Sequence, residues 1–237
     1  GEGDAELGSV HAGGHAAAIL EALGPGGRLI GLDRDPRALE RTRANLAGYG
    51  ERFVLKASNF RDLAEAVRLL APGGVDGVLL DLGVSSEQLD DPGAGFSFQS
   101  SGPLSMSMEP DRHPDARDLL NSAPEEDLAR ILKENGDVRA ARRVARMIVG
   151  ARPLATTGDL KAAASKGGAG RPEDLARVYQ AVRIAVNDEF GALKAALDGL
   201  KEMVKPGGRV VVLSYHSGED RIVKRFFSPV KMGKPMP

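Results

Sequence analysis

Apolar residues along this chain follow two patterns. In the first, short runs rich in Val, Ile and Leu are bounded by Gly, Pro or Asp: 28–33 (RLIGLD), 52–57 (RFVLKA), 75–81 (VDGVLLD) and 209–214 (RVVVLS). Such runs read as strands, and their continuous apolarity predicts burial on both faces, hence a parallel sheet. Stretches with helical spacing separate them at 16–23, 36–47 and 61–70, the last repeating Leu63, Ala66, Val67 and Leu70. Alternating strand and helix predicts a doubly wound α/β fold.

The second pattern covers about 116–200 and is helical throughout. PEEDLARILKENG opens with Pro124 and early acids and closes at Gly136, VRAARRVARMIVGARP stops at Pro153, and two further helices lead into the strand RVVVL. The predicted organisation is an α/β domain formed by 1–110 and 187–237, with a helical subdomain, 111–186, inserted before the last strand. SKGGAGRP, 165–172, is expected to be a flexible loop. Residues 81–110, DLGVSSEQLDDPGAGFSFQSSGPLSMSMEP, show neither period. Irregular segments beyond roughly 12–15 residues are uncommon in compact domains unless functional or disordered.

Composition narrows the classes. The 237 residues are 42% hydrophobic and 27% charged, an ordinary globular balance. No apolar run approaches the roughly 18 residues of a membrane span, so a soluble protein without a membrane partner is expected. The absence of cysteine removes disulfides, thiolate metal sites and cysteine nucleophiles. A net charge of −1 gives no bulk case for nucleic-acid binding, which must rest on local patches. The chain starts at Gly1 and approaches a glycine-rich stretch by residue 8, so the natural start is expected upstream.

In open α/β sheets, ligands bind beyond the carboxyl ends of the strands. Gly13 and Gly14 precede a helix, where backbone approaches a ligand closely. Asp33 ends the second run nineteen positions after Gly14, near the roughly 20-residue spacing at which an acid takes ribose hydroxyls. Asp35 and Pro36 read as an N-cap and first helical residue. Phe60 follows the third run, as core or beside a ligand. Asp81 ends the fourth, where a carboxylate either binds a ligand or caps the next turn, since burying it unpaired is costly. His11 and His15 have metal-ligand spacing, but the glycines between them and the lack of a nearby carboxylate argue against a metal. Neither a Ser-His-Asp order nor a G-x-x-x-x-G-K loop is present, and the glycine fingerprint of an NAD-dependent oxidoreductase is incomplete.

AGGHAAAIL, RLIGLDRDP, SNFRDL, DGVLLDLGVSSEQLDDPGAGFSF, GPLSMSM, YQAVRIAVNDE and SYHSGEDRIVKRFF together resemble the MraW-type, or ribosomal small subunit methyltransferase H, family. That resemblance implies a class I S-adenosylmethionine-dependent methyltransferase (Rossmann-like) sheet with an inserted helical subdomain. It also implies methylation of the exocyclic N4 of a cytosine in 16S-type small-subunit ribosomal RNA, in the cytoplasm or in an organelle. Carried over by motif, Gly13, Gly14 and His15 would surround the methionine part of S-adenosylmethionine. Asp33 would take the ribose, Phe60 and Asp81 the adenine side, and Gln88 the methionine end, so that 81–110 would lie over the cofactor.

Such a site must help a nitrogen whose lone pair is delocalised into the cytosine ring. The candidate polar groups are Asp81, Ser85, Ser86 and His216, the last being the candidate proton acceptor or else a hydrogen-bonded structural histidine. Phe96 and Phe98 are expected to pin their loop to the core rather than stack on a base. Arg139, Arg142, Arg143, Arg146 and Arg152, with 221–234, form basic sets suited to RNA phosphates, and a solvated helix face accounts for about half of the arginines.

The chain departs from the family pattern at Leu7, where an acid is expected, and at His11 and Ala12, where glycine is frequent, so its first strand is poorly supported. Ser105 and Ser107 replace an acid and an arginine, and Gly218 replaces a leucine, which should loosen the next helix start. Two readings result: an RNA methyltransferase, or a non-catalytic ribosome-assembly protein that keeps the fold and its RNA surface.

Overall fold

Five strands form one parallel sheet in the order β3-β2-β1-β4-β5: β1 (Ala5–Ser9), β2 (Arg28–Asp33), β3 (Phe53–Ala57), β4 (Val75–Asp81) and β5 (Val204–Leu213). The structure, a computed structural model, describes residues 5–9, 14–84, 89, 91, 93–109 and 114–231. By internal packing the chain divides into two compact units, Gly1–Gly83 with Phe190–Pro237, and Val84–Glu189.

The first strand, poorly supported by its residues, is nonetheless present and central: Leu7 is in register with Ile30 of β2 and with Val78 of β4. A central parallel strand is held by backbone hydrogen bonds on both edges, so its neighbours outweigh the weak propensity of AELGS. Successive strands run from β1 out to β3, and the chain then returns to place β4 on the other side of β1. The strand order therefore reverses between β1 and β4, where crevices open at the carboxyl edge of such sheets.

Two apolar clusters flank the sheet. Leu29 joins Ala16 and Leu20 of α1 (Gly14–Ala22) and Leu39 of α2 (Pro36–Asn45). Ile30 and Leu32 join Leu63 and Val67 of α3 (Leu63–Leu70) and Leu193 and Leu197 of α9 (Glu189–Met203). Their alternation along β2 follows the two-residue period of a strand. Arg52 fixes the far end of α1, its Nε donating to Gly27 O at 3.1 Å and its Nη2 lying 2.9–3.1 Å from the carbonyls of Leu20, Leu23 and Gly24. Leu20 O is an acceptor left open at the helix C-terminus and the others lie in the turn that follows, so the bonds anchor the helix whose other end carries Gly14 and His15.

The second unit is built from α4 (Ala116–Ser122), α5 (Glu125–Gly136), α6 (Ala141–Gly150), α7 (Thr157–Lys166) and α8 (Pro172–Asn187). Capping boxes at Asp115/Asp118 and Thr156/Asp159 start α4 and α7. The core of this unit contains Leu120, Leu132, Val144, Ile148, Val178 and Val182, together with Phe96, Leu104 and Met106 from the irregular segment. For that reason the compact unit begins at Val84, whereas the helical pattern alone places its start at 111. Phe98 meets Tyr179 edge-on at 5.6 Å, so both phenylalanines pin the loop as expected. Gly95, at φ 72, brings its backbone so near Pro103 that an added Cβ would lie 2.3 Å from the Pro103 carbonyl oxygen. Only glycine combines that dihedral with that approach.

SKGGAGRP, expected to be a flexible loop, is largely exposed but is tied down at Gly167 and Ala169. Its first two residues finish α7, Ala169 is 2% exposed, and the Gly167 carbonyl accepts from Arg143 Nε at 2.7 Å. No helix among the described residues is long and apolar enough to cross a membrane.

Candidate active site

Four strand ends at the carboxyl edge of the sheet carry the candidate residues. Gly14 begins α1 after β1, and a Cβ there would meet no heavy atom of the described residues within 4 Å. His15, half exposed, directs Nε2 to within 3.7 Å of Asp81 Oδ2 across the switch point. Asp33 ends β2, and its Oδ1 accepts from the amide of Asp35 at 2.9 Å. Asp35 caps α2 ahead of Pro36, as its sequence predicts. After β3, Asn59 accepts from Arg61 N at 3.0 Å, and half-buried Phe60 packs against the sheet core. Gly13 and Gln88, expected in this site, lie outside the described residues, as do His11, Ser85 and Ser86.

Asp81 is the centre of this arrangement. It is 7% exposed, and its Oδ1 accepts a 2.9 Å hydrogen bond from the hydroxyl of Tyr215, beyond the end of β5. That hydrogen bond, and the negative charge behind it, hold the Tyr215 pKa above the ordinary tyrosine value, so the phenol stays a donor at neutral pH. Gly83, at φ 95, turns the chain immediately after Asp81, and a Cβ on it would stand 3.6 Å from the Tyr215 ring.

His216 has different surroundings. Its Nδ1 accepts from the amides of Gly218 and Glu219 at 3.2 and 3.4 Å, which makes it the cap of α10 (Ser217–Lys231). Its Nε2 is 3.2 Å from Glu219 Oε1 without hydrogen-bond geometry, and its ring lies beside Phe190 at 5.8 Å. Glu219, 2% exposed, reaches back to accept from the amide of Tyr215 at 3.0 Å. The H-S-x-E spacing thus works as a variant of the capping box, with acceptor and acid three residues apart. Gly218 does not loosen the start of α10. The cap holds it, and the Phe190 ring fills the space a side chain would need, its Cζ lying 2.5 Å from where a Cβ would stand.

In the second unit, the SMSM stretch keeps its shape through neutral groups. Ser107 Oγ donates to Glu109 O at 2.7 Å, and Asn187 at the end of α8 donates to Met106 O at 2.7 Å and accepts from Met108 N at 2.9 Å. Of the five expected phosphate-binding arginines, Arg143 and Arg152 serve the fold through backbone carbonyls. Arg146 stands 3.5 Å from Glu125. Arg139 and Arg142 line an open groove of about 1170 Å³ between α5 and α6, with Arg130, Lys133, Glu125 and Glu126. Among the described residues no cluster of three metal-ligating side chains occurs.

Sequence reasoning does not single out Tyr215, Glu219 or Asn187, although all three lie inside the motifs SYHSGED and YQAVRIAVNDE. The spacing of His216 and Glu219 is the readable signal, because it is that of a helix cap.

A family model described as the MraW methylase family matches residues 4–237. A protein of Heliobacterium modesticaldum named ribosomal RNA small subunit methyltransferase H is 47% identical over 237 residues, covering 95% of this chain and 75% of the relative. Proteins of the same name from Rubrobacter xylanophilus and Geobacter sulfurreducens are 50% and 47% identical, covering 91% and 97% of this chain and 70% and 76% of the relatives. With the family model running through both units, this chain belongs to the MraW methylase family.

Proposed function

We propose that this protein transfers a methyl group from S-adenosylmethionine to the exocyclic N4 of a cytosine in small-subunit ribosomal RNA. The observation that carries the reading is that Gly14 and His15 follow β1, Asp33 and Asp81 end β2 and β4, and Phe60 follows β3, all at the carboxyl edge of one parallel sheet whose order reverses between β1 and β4. The relatives' names supply the RNA class. The sheet suits a class I methyltransferase fold, with the helical unit as the part that recognises substrate.

The described residues fit the cofactor. Gly14 places a backbone without a Cβ at the N-terminus of α1, Asp33 offers a carboxylate to a pair of ribose hydroxyls, and Phe60 offers an aromatic face to adenine. Gly13, His15, Asp81 and Gln88 complete the proposed contacts. When bound, S-adenosylmethionine supplies an electrophilic methyl group on a sulfonium leaving group. The chain's task is to orient the amine and to take its proton. Asp81 places a carboxylate, a group that can take a proton, at the carboxyl end of β4. His216 acts instead as a positioning residue, since the Nδ1 lone pair a base would use is engaged by two amides. The groove bearing Arg130, Lys133, Arg139 and Arg142 is the proposed phosphate-binding surface.

Calorimetric titration tests the cofactor half of this reading. Wild-type protein should bind S-adenosylmethionine with one-to-one stoichiometry. Asp33→Ala should weaken binding about a hundredfold, the scale of losing two hydrogen bonds to a charged group. Absence of binding by the wild type would leave the non-catalytic reading in its place.

A further inference from the structure

We infer that Tyr215 is the platform on which the acceptor base stacks, an inference that rests on the proposed methyl transfer. The strand order sets the direction. Gly14 and His15 follow β1 and Asp33 ends β2, so the cofactor side of Asp81 lies toward those strands, while β5 borders β4 on the opposite side. Tyr215 lies just beyond the end of β5 and therefore marks the flank from which an acceptor approaches Asp81.

Three features make this ring a built surface. Its hydroxyl is tethered to Asp81 Oδ1 and its backbone amide to Glu219 Oε2, so the residue is held at both ends. Even so, 69% of its surface is exposed, an unusual state for an aromatic residue with both polar groups satisfied beside a buried carboxylate. Finally, Gly83 turns the backbone beside the ring at φ 95, a conformation that favours glycine. A rigid, exposed aromatic face beside a buried acceptor matches an unstacked nucleobase: the ring takes the π-face and the carboxylate meets the exocyclic amine. The capped start of α10 gains a purpose as well, because His216 and Glu219 set the backbone that presents Tyr215.

The test compares Tyr215→Leu and Tyr215→Phe with the wild type, using small ribosomal subunits from cells lacking the gene as substrate. Calorimetry with S-adenosylmethionine serves as a second readout. Tyr215→Leu keeps bulk but removes the π-face and should lower kcat/KM for subunits roughly ten- to a hundredfold, the scale of one base stack. Tyr215→Phe keeps the ring and loses only the tether, so its loss should be less than about tenfold. Cofactor affinity should stay within about twofold of the wild type in both. Equal activity of Tyr215→Leu and the wild type overturns the inference alone. A parallel fall in cofactor affinity also overturns it, by placing Tyr215 in the cofactor pocket. A wild-type protein that binds cofactor but methylates no subunits overturns the proposed function and this inference together.

Discussion

Asp81→Asn should lower kcat for methyl transfer by about 10²–10⁴, the range contributed by a positioned general base. The substitution preserves shape and can still accept the Tyr215 hydroxyl bond, yet it removes the carboxylate at the carboxyl end of β4. His216 does not take over, because its Nδ1 is the acceptor that caps α10. The cofactor dissociation constant should rise too, since Asp81 also faces the cofactor side through His15. Measuring kcat at saturating cofactor and subunits separates the two effects. A kcat within about tenfold of the wild type would remove Asp81 from proton transfer and leave it a binding residue.

Asn187→Ala should destabilise the helical unit by about 3–5 kcal/mol. Asn187 is fully buried, and its hydrogen bonds include donation to Met106 O and Arg183 O and acceptance from Met108 N. Alanine would leave the Met106 carbonyl and the Met108 amide without this partner, at about 1–3 kcal/mol for each group that stays buried. Met106 also sits at φ 54, a left-handed conformation uncommon for a side-chain-bearing residue and kept only where its surroundings enforce it. Native-state hydrogen exchange is the suitable measurement, because the two compact units need not unfold together. The Met108 amide and the amides of α8 should lose protection by the stated amount. A change below about 1 kcal/mol would show that the loop is held by its own serines and by Phe96.

Fold and site are legible in the sequence to different degrees, for physical reasons. β2 and β4 have the bounds their apolar runs predict, because strands covered on both faces leave a nearly continuous hydrophobic signature. β1 leaves none: its place is secured by the ladders of β2 and β4, which are backbone properties. β5 begins five residues earlier than its apolar run, through KPGG and an irregularity in its pairing with β4 that no side-chain pattern announces. In the site, Asp33 and Asp81 are readable because a carboxylate ending an apolar strand has few structural uses. Tyr215 is not, since an isolated tyrosine after a strand resembles any half-buried aromatic until its two tethers are seen. The arginines in and beside α6 show the same limit. Helical spacing identifies a basic face, but only the carbonyls of Gly167 and Leu120 show that Arg143 and Arg152 also hold the fold.

The central claim, methylation of a cytosine amine in small-subunit ribosomal RNA, is tested most directly by mass spectrometry of nucleosides from that RNA in cells with and without the gene. Loss of one N4-methylcytosine in the deletion strain, restored by the wild-type gene and not by Asp81→Asn, is the predicted result. An unchanged N4-methylcytosine content in the deletion strain would contradict it.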